Sequence, residues 1–336
     1  MGASFKRVSR ADVARHAGVS ETIVSYVLNN NRYVDKTKRE RVEQAIRELH
    51  YLPNNSARAL KGKRSNQIIF IADKISNEHF GRIIAEMDQS AYEYGYLVSL
   101  VSNRNNDAFI SHIISRQVDG IVISSISFSE KYINQLAEAN IPIVLLMNRE
   151  YHQLPPQVGK IDTGLYDGMC DCVNHLYAKK RRKILYIDRY SKNNNFSNME
   201  DLRYRAFVEQ MQRLGLEFSA QNIITGCQDE NEVFERVRSV LQSEFLVDGI
   251  IGRNDSLACI AMEAAKSLGK IIPQDIALVG FDNSSLSRYT EPQLTTVEIQ
   301  RDKIGQATIE MLHKMITGQQ IENLKFTTRL IERHST

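Results

Sequence analysis

The chain has 336 residues, 42% apolar and 25% charged, so it can bury more than one core and is neither disordered nor fibrous in composition. No apolar run approaches the roughly 18 residues a membrane helix needs, and the first residues lack the apolar stretch of a secretory signal. Cys170, Cys172, Cys227 and Cys259 are too irregularly spaced for a disulfide framework or a zinc site, so a cytoplasmic protein without metal or cofactor is expected. The net charge of +3 hides an asymmetry: residues 1–65 carry 14 Lys/Arg against 6 Asp/Glu, a net of +8, while the remainder carries 29 against 34, a net of −5. A basic head on a mildly acidic body is the electrostatic footprint of a nucleic-acid binder with a separate second function.

Taken in chain order, Ser9 can cap a first short helix whose apolar set Val13, Ala14 and Ala17 ends at Gly18. Ser20 caps a second, with Ile23, Val24, Val27 and Leu28 on one stripe and Glu21, Thr22, Ser25 and Tyr26 left outside. Two short helices joined by Gly18-Val19-Ser20 match a helix-turn-helix, whose second helix reads bases from the major groove; an ordinary helical hairpin is the alternative. Asp35 caps a third helix with Val42, Ala45, Ile46 and Leu49 inside. The following "NNSARALKGK" is too short to stay helical alone, which leaves a segment that folds on DNA or a plain linker.

From Asn66 short apolar runs alternate with helical segments. Strands are expected at 67–72, 97–101, 120–124 and 143–147, and a second set at 184–187, 223–225, 249–252 and 276–280. Strand and helix alternating twice over predicts two doubly wound parallel-sheet lobes. Ligands bind beyond the carboxyl ends of such strands, which singles out 73–80, Asn148, 188–190, Asn254-Asp255 and Asp282-Asn283 around a shared cleft.

"DVARHAGVSETIVSYVLN", "RERVEQAIRELHYLPNNSARALKGK" and the terminal "LIERHST" closely resemble the LacI/GalR family of bacterial transcription repressors, over essentially the whole chain. The resemblance implies a helix-turn-helix head (1–52), a hinge helix (53–63) and a periplasmic-binding-protein-like effector body (64–336). Its first lobe is expected at about 66–163 and 294–320, its second at about 164–293 and 321–336. It further implies that Glu21, Thr22 and Tyr26 read base edges, that Leu60 wedges into the minor groove beside Asn54, Ala57 and Lys61, and that Ser9, Ser20, Ser25, Asn29, Arg32 and Tyr51 make phosphate or positioning contacts. Tyr26 departs from the guanine-gripping arginine common there, so a thymine methyl is one alternative target. Glu21 has two readings, favouring the helix N-terminus or accepting from a cytosine amino group.

In the body, Arg203 matches the family's ligand-forking arginine, Asp282 the aspartate after "VGF", and Asn254-Asp255 an Asn-Asp pair of which one can instead cap a helix. His79, Phe80 and Asp167 match further contacts, and Phe80, Tyr190 and Phe196 are the aromatic rings available for stacking in a chain without tryptophan. The implied protein is a homodimeric repressor of carbohydrate-utilisation genes on a near-palindromic operator. Its effector is expected to be a sugar or sugar phosphate, the alternatives being a purine or phosphoprotein corepressor. A sugar receptor without gene regulation is the competing class. The catalytic signatures sought, G-x-S-x-G, a phosphate loop, H-E-x-x-H and a dinucleotide fingerprint, do not occur, so no enzyme is expected.

Overall fold

The computed structural model describes residues 8–52, 64–73 and 78–336, and the chain divides into two units, 1–65 and 66–336. In the first unit Ser9 and Asp12 close a reciprocal capping box at the start of α1 (Arg10–Ala17). Gly18 stops that helix at φ 62°, a left-handed conformation that costs glycine nothing. Ser20 caps α2 (Glu21–Asn29) and Asp35 caps α3 (Lys36–Glu48). The three helices enclose one core of Val13, Ala14, Ala17, Val24, Val27, Val42, Ala45 and Tyr51.

The second unit begins with β1 (Gln67–Ala72) and α4 (Glu78–Glu93), followed by β2 (Leu97–Ser102), α5 (Asp107–Ser115), β3 (Gly120–Ser124), α6 (Glu130–Glu138), β4 (Ile143–Met147) and β5 (Gly159–Asp162). After α7 (Leu165–Ala178) come β6 (Ile184–Ile187), α8 (Leu202–Arg213), β7 (Ile223–Ile224), α9 (Glu230–Gln242), β8 (Gly249–Gly252), α10 (Asp255–Ser267), β9 (Ala277–Val279) and the single turn α11 (Leu286–Tyr289). The chain closes with β10 (Thr296–Ile299), α12 (Arg301–Ile316), β11 (Leu324–Lys325) and β12 (Thr328–Ile331).

The first lobe is a six-stranded parallel sheet in the order β11-β5-β4-β3-β1-β2. Its central strands β1, β3 and β4 read as nearly unbroken apolar runs because both faces are covered. Ile68, Phe70, Val122, Val144 and Leu146 cluster with Ile83 and Met87 of α4 and Ile304 and Leu312 of α12. Ile69, Ile71, Ile121, Ile123 and Leu145 cluster with Ile110 and Ile113 of α5 and Ile133 and Leu136 of α6. The second lobe repeats the plan in a four-stranded parallel sheet, β7-β6-β8-β9.

Between the lobes β10 and β12 form an antiparallel ribbon, from Thr296 opposite Ile331 to Ile299 opposite Thr328. At the first crossing Gly164 has φ 78°, and a Cβ there would stand 2.8 Å from the Phe326 carbonyl oxygen. The expected lobe boundaries need two corrections. Leu324–Lys325 belongs to the first sheet, where it pairs with Ile161–Asp162 and satisfies the open edge of β5. Leu294 and Thr295 stay with the second lobe, since Thr295 bridges Val279 and accepts from the Gly280 amide at 2.8 Å.

Candidate functional sites

On the head, Glu21 and Thr22 are exposed in the first turn of α2, with Ser25, Tyr26 and Asn29 partly exposed further along. The Asn29 amide nitrogen donates to the Ser25 carbonyl at 2.6 Å and the Ser25 hydroxyl at 3.2 Å, so these two residues brace one another. The hydroxyls of the two capping serines differ. Ser9 accepts from the Asp12 amide and donates to the Asp12 carboxylate at 2.6 Å, while Ser20 accepts from the Ile23 amide at 3.4 Å and keeps its proton for an outside acceptor. The Ser9 hydroxyl proton is thus engaged within its own capping box. Tyr51 is 6% exposed, with its ring packed into the core of the head. The hinge segment 53–63, with Asn54, Ala57, Leu60 and Lys61, lies outside the described residues.

In the second unit the strand ends converge on a cavity of about 390 Å³ between the lobes. The first lobe contributes Asp73, His79, Phe80, Ser124 and Asn148; the second contributes Arg189, Tyr190, Arg203, Glu230, Arg253, Asn254, Asp255 and Asp282. Six of the seven ligand residues expected from the sequence therefore line one space. Asp167 does not. On α7 the buried positions Leu165, Gly168, Met169, Cys172, Val173 and Leu176 form the inner face, which leaves Asp167 on the outer face, ion-paired to Lys325 at 2.7 Å. Of the aromatic rings, Phe80 and Tyr190 line the cavity and Phe196 does not.

Arg203 sits in the first turn of α8, whose N-cap Asp201 accepts the Arg203 and Tyr204 amides. Its Nη1 donates to the Arg253 carbonyl at 3.0 Å, its guanidinium lies 5.3 Å from the Phe281 ring centre, and its buried Nε has no hydrogen-bond partner. No ion pair to a carboxylate forms at Arg203 among the described residues, and burial, then the charge of Arg253, lowers its pKa.

Asp282 mirrors it. It is 6% exposed, its backbone is held at φ 103°, and its buried Oδ1 accepts no hydrogen bond although His79 Nδ1 stands 3.5 Å away and Arg301 Nη2 3.6 Å away. Burial lowers the His79 pKa to about 4 against the opposing charge of Asp282, so its imidazole is neutral near pH 7. Arg301, a buried partner that sequence reading missed, also donates to the Asp282 carbonyl at 2.5 Å. Only its position at the start of α12, after a crossing strand, could have signalled it.

The other polar residues are spent on holding the walls. Asn254 caps α10 through the Leu257 amide at 2.9 Å. Asp255, 1% exposed, accepts from Thr296 Oγ1 at 2.5 Å and from the Ser284 amide and hydroxyl at 2.6 and 2.8 Å; burial nevertheless pushes its pKa up to about 7. Arg253 forks onto Asp201 at 3.0 and 2.6 Å and also reaches Ser197 at 3.1 Å. Burial alone would raise the Asp201 pKa, but the Arg253 charge keeps it low. Across the cleft, Asp73 accepts from Ser125, Ser127 and the Ile126 amide and faces Arg189 at 3.4 Å. Among the described residues no cluster fits a metal ion, and no helix is long and apolar enough to cross a membrane.

A helix-turn-helix unit in one chain with a two-lobed ligand-cleft unit defines a DNA-binding regulator with a small-molecule receptor. Residues 11–54 match the family model for bacterial regulatory proteins of the lacI family, and residues 173–336 that for a periplasmic binding protein-like domain. The chain is 28% identical over 331 residues to the HTH-type transcriptional repressor PurR of Histophilus somni strain 129Pt, covering 96% of this chain and 97% of that one. A lac repressor dimer bound to operator and the anti-inducer ONPF superposes with a TM-score of 0.80 at 25% identity, covering 98% and 99% of the two chains. A periplasmic binding protein/LacI transcriptional regulator from Alkaliphilus metalliredigens QYMF, complexed with D-xylulofuranose, gives a TM-score of 0.66 at 28% identity, covering 81% and 99%. The chain belongs to the LacI/GalR family of DNA-binding transcription repressors.

Proposed function

We propose that this repressor binds a polyhydroxylated effector carrying an acidic group, a sugar phosphate or sugar acid, and that the effector changes its operator affinity. One observation carries the reading: the cavity holds a buried guanidinium without a carboxylate partner, Arg203, and a buried carboxylate oxygen without a donor, Asp282 Oδ1. An unmade hydrogen bond at a buried polar atom costs about 1–3 kcal/mol, so a ligand offering an anionic acceptor and a hydroxyl relieves both. His79, Phe80, Asn254 and Asp255 complete the walls. Glu21, Thr22 and Tyr26 read the operator, which is near-palindromic because two chains pair.

A purine corepressor is the second reading, favoured by the likeness to proteins named PurR over 96% of the chain and by two cavity rings, Phe80 and Tyr190. A thermal-shift screen of sugars, sugar phosphates, sugar acids and purines against the full chain tests both, because a tight effector stabilises the protein by mass action. Hits are then titrated against a bound operator. An acidic carbohydrate that shifts operator affinity is the expected result. A purine hit replaces the first reading by the second, and a tight ligand that leaves operator affinity unchanged at saturation sinks the switching function.

A further inference from the structure

The reading helix lacks an arginine at Tyr26, yet the structure brings one to it. Asn30, in the left-handed conformation at φ 45°, turns the chain back at the end of α2, and Arg39 Nη2 of α3 fixes that turn by donating to Asn30 Oδ1 at 3.1 Å. Arg32 therefore returns over α2. Its guanidinium carbon lies 5.3 Å from the Tyr26 ring centre, and its Nη1 donates to the Tyr26 hydroxyl at 3.4 Å. A phenol oxygen that accepts from a cation has one lone pair engaged, and its own proton is directed elsewhere. The neighbouring positive charge also polarises the O–H bond toward donation.

Guanine N7 and O6, adenine N7 and thymine O4 are acceptors in the major groove, whereas the cytosine edge offers an amino donor. We propose that Arg32 is a specificity-determining positioning residue acting through Tyr26: it makes the Tyr26 hydroxyl a donor, so the base facing Tyr26 is one with an acceptor edge and cytosine is rejected. The proposal rests on the DNA-reading function of α2. It assigns Arg32 a role that a phosphate contact lacks, because phosphate contacts carry no base information.

The test is operator selection from a randomised duplex library by the purified full chain and by Arg32→Ala, Arg32→Lys and Tyr26→Phe, each measured at two salt concentrations. The wild-type protein is expected to deplete cytosine at one position. Arg32→Ala and Tyr26→Phe should each lose roughly tenfold discrimination at that same position, their combination should lose no more than either alone, and Arg32→Lys should retain part of it. If Arg32→Ala instead weakens all sequences alike and lowers the salt slope by about one, Arg32 is a phosphate contact and the proposal is overturned. Cytosine enrichment at the Tyr26 position overturns it equally. If Arg32→Ala loses stability, Tyr26→Phe and Arg32→Lys still decide the matter. A wild-type chain that selects no sequence defeats the DNA-reading function itself, and the proposal with it.

Discussion

Arg203 stands where its own helix makes it hard to replace: the first turn of α8 fixes its backbone, Phe281 flanks its guanidinium, and Nε has no internal partner. Arg203→Gln keeps much of the volume and removes the charge, so effector affinity should fall about 10- to 100-fold in a calorimetric titration, with operator affinity in the absence of effector unchanged. A neutral effector would lose far less, which makes this variant a probe of effector charge. Asp255 gives the body a pH dependence of defined sign. Its folded pKa of about 7 exceeds the unfolded value, so it binds a proton more tightly when folded. That contribution is complete below pH of about 4, is lost progressively up to about 7 and is absent above. Asp255→Asn should flatten this part of the stability profile by a few kcal/mol in denaturant titrations between pH of about 4 and 8, whatever its effect on absolute stability. An unchanged slope would contradict the burial argument.

At the level of single elements, the two serine N-caps of the head separate stability from contact. Ser9→Ala and Ser20→Ala should each cost about 1 kcal/mol of head stability in thermal melts. Only Ser20→Ala should also weaken binding evenly across operator sequences, since only Ser20 keeps a free hydroxyl proton. These caps, the three head helices and eight apolar strands were legible because capping residues and apolar periodicity are local signals. β5, β10, β11 and β12 were not: segments such as "GKID" and "TRLI" are too mixed in polarity, and they become strands because a sheet edge or a facing strand completes their hydrogen bonds. The site was legible as a set of loops after strands. Asp167 was misplaced for want of its helix face, and Arg301 was missed because its pairing with Asp282 joins residues that only the fold brings together.

Over the whole body, charged and polar groups tie the two lobes across the cleft. Asp73 meets Arg189, Glu78 accepts from the Ser285 amide at 3.1 Å, Arg82 donates to the Asn283 carbonyl at 3.1 Å, and Arg149 pairs with Glu200 at 2.8 Å. Such ties resist opening while the crossing strands allow it, the arrangement a ligand needs to bias one lobe position over another. The ribbon and β11 have a further consequence for how this chain is made. Because the first sheet takes an edge strand from Leu324–Lys325 and the ribbon needs Thr328–Ile331, neither lobe corresponds to a continuous stretch of polypeptide. During synthesis the first sheet lacks its β11 edge strand until Lys325 has emerged, and the ribbon lacks β12 until Ile331 has. A chain cut after residue 320 should lose its sharp unfolding transition and bind a hydrophobic dye, whereas independent melting of an intact first lobe would show that the late strands are dispensable. Birth order thus ties completion of the body to strands that emerge late in its synthesis.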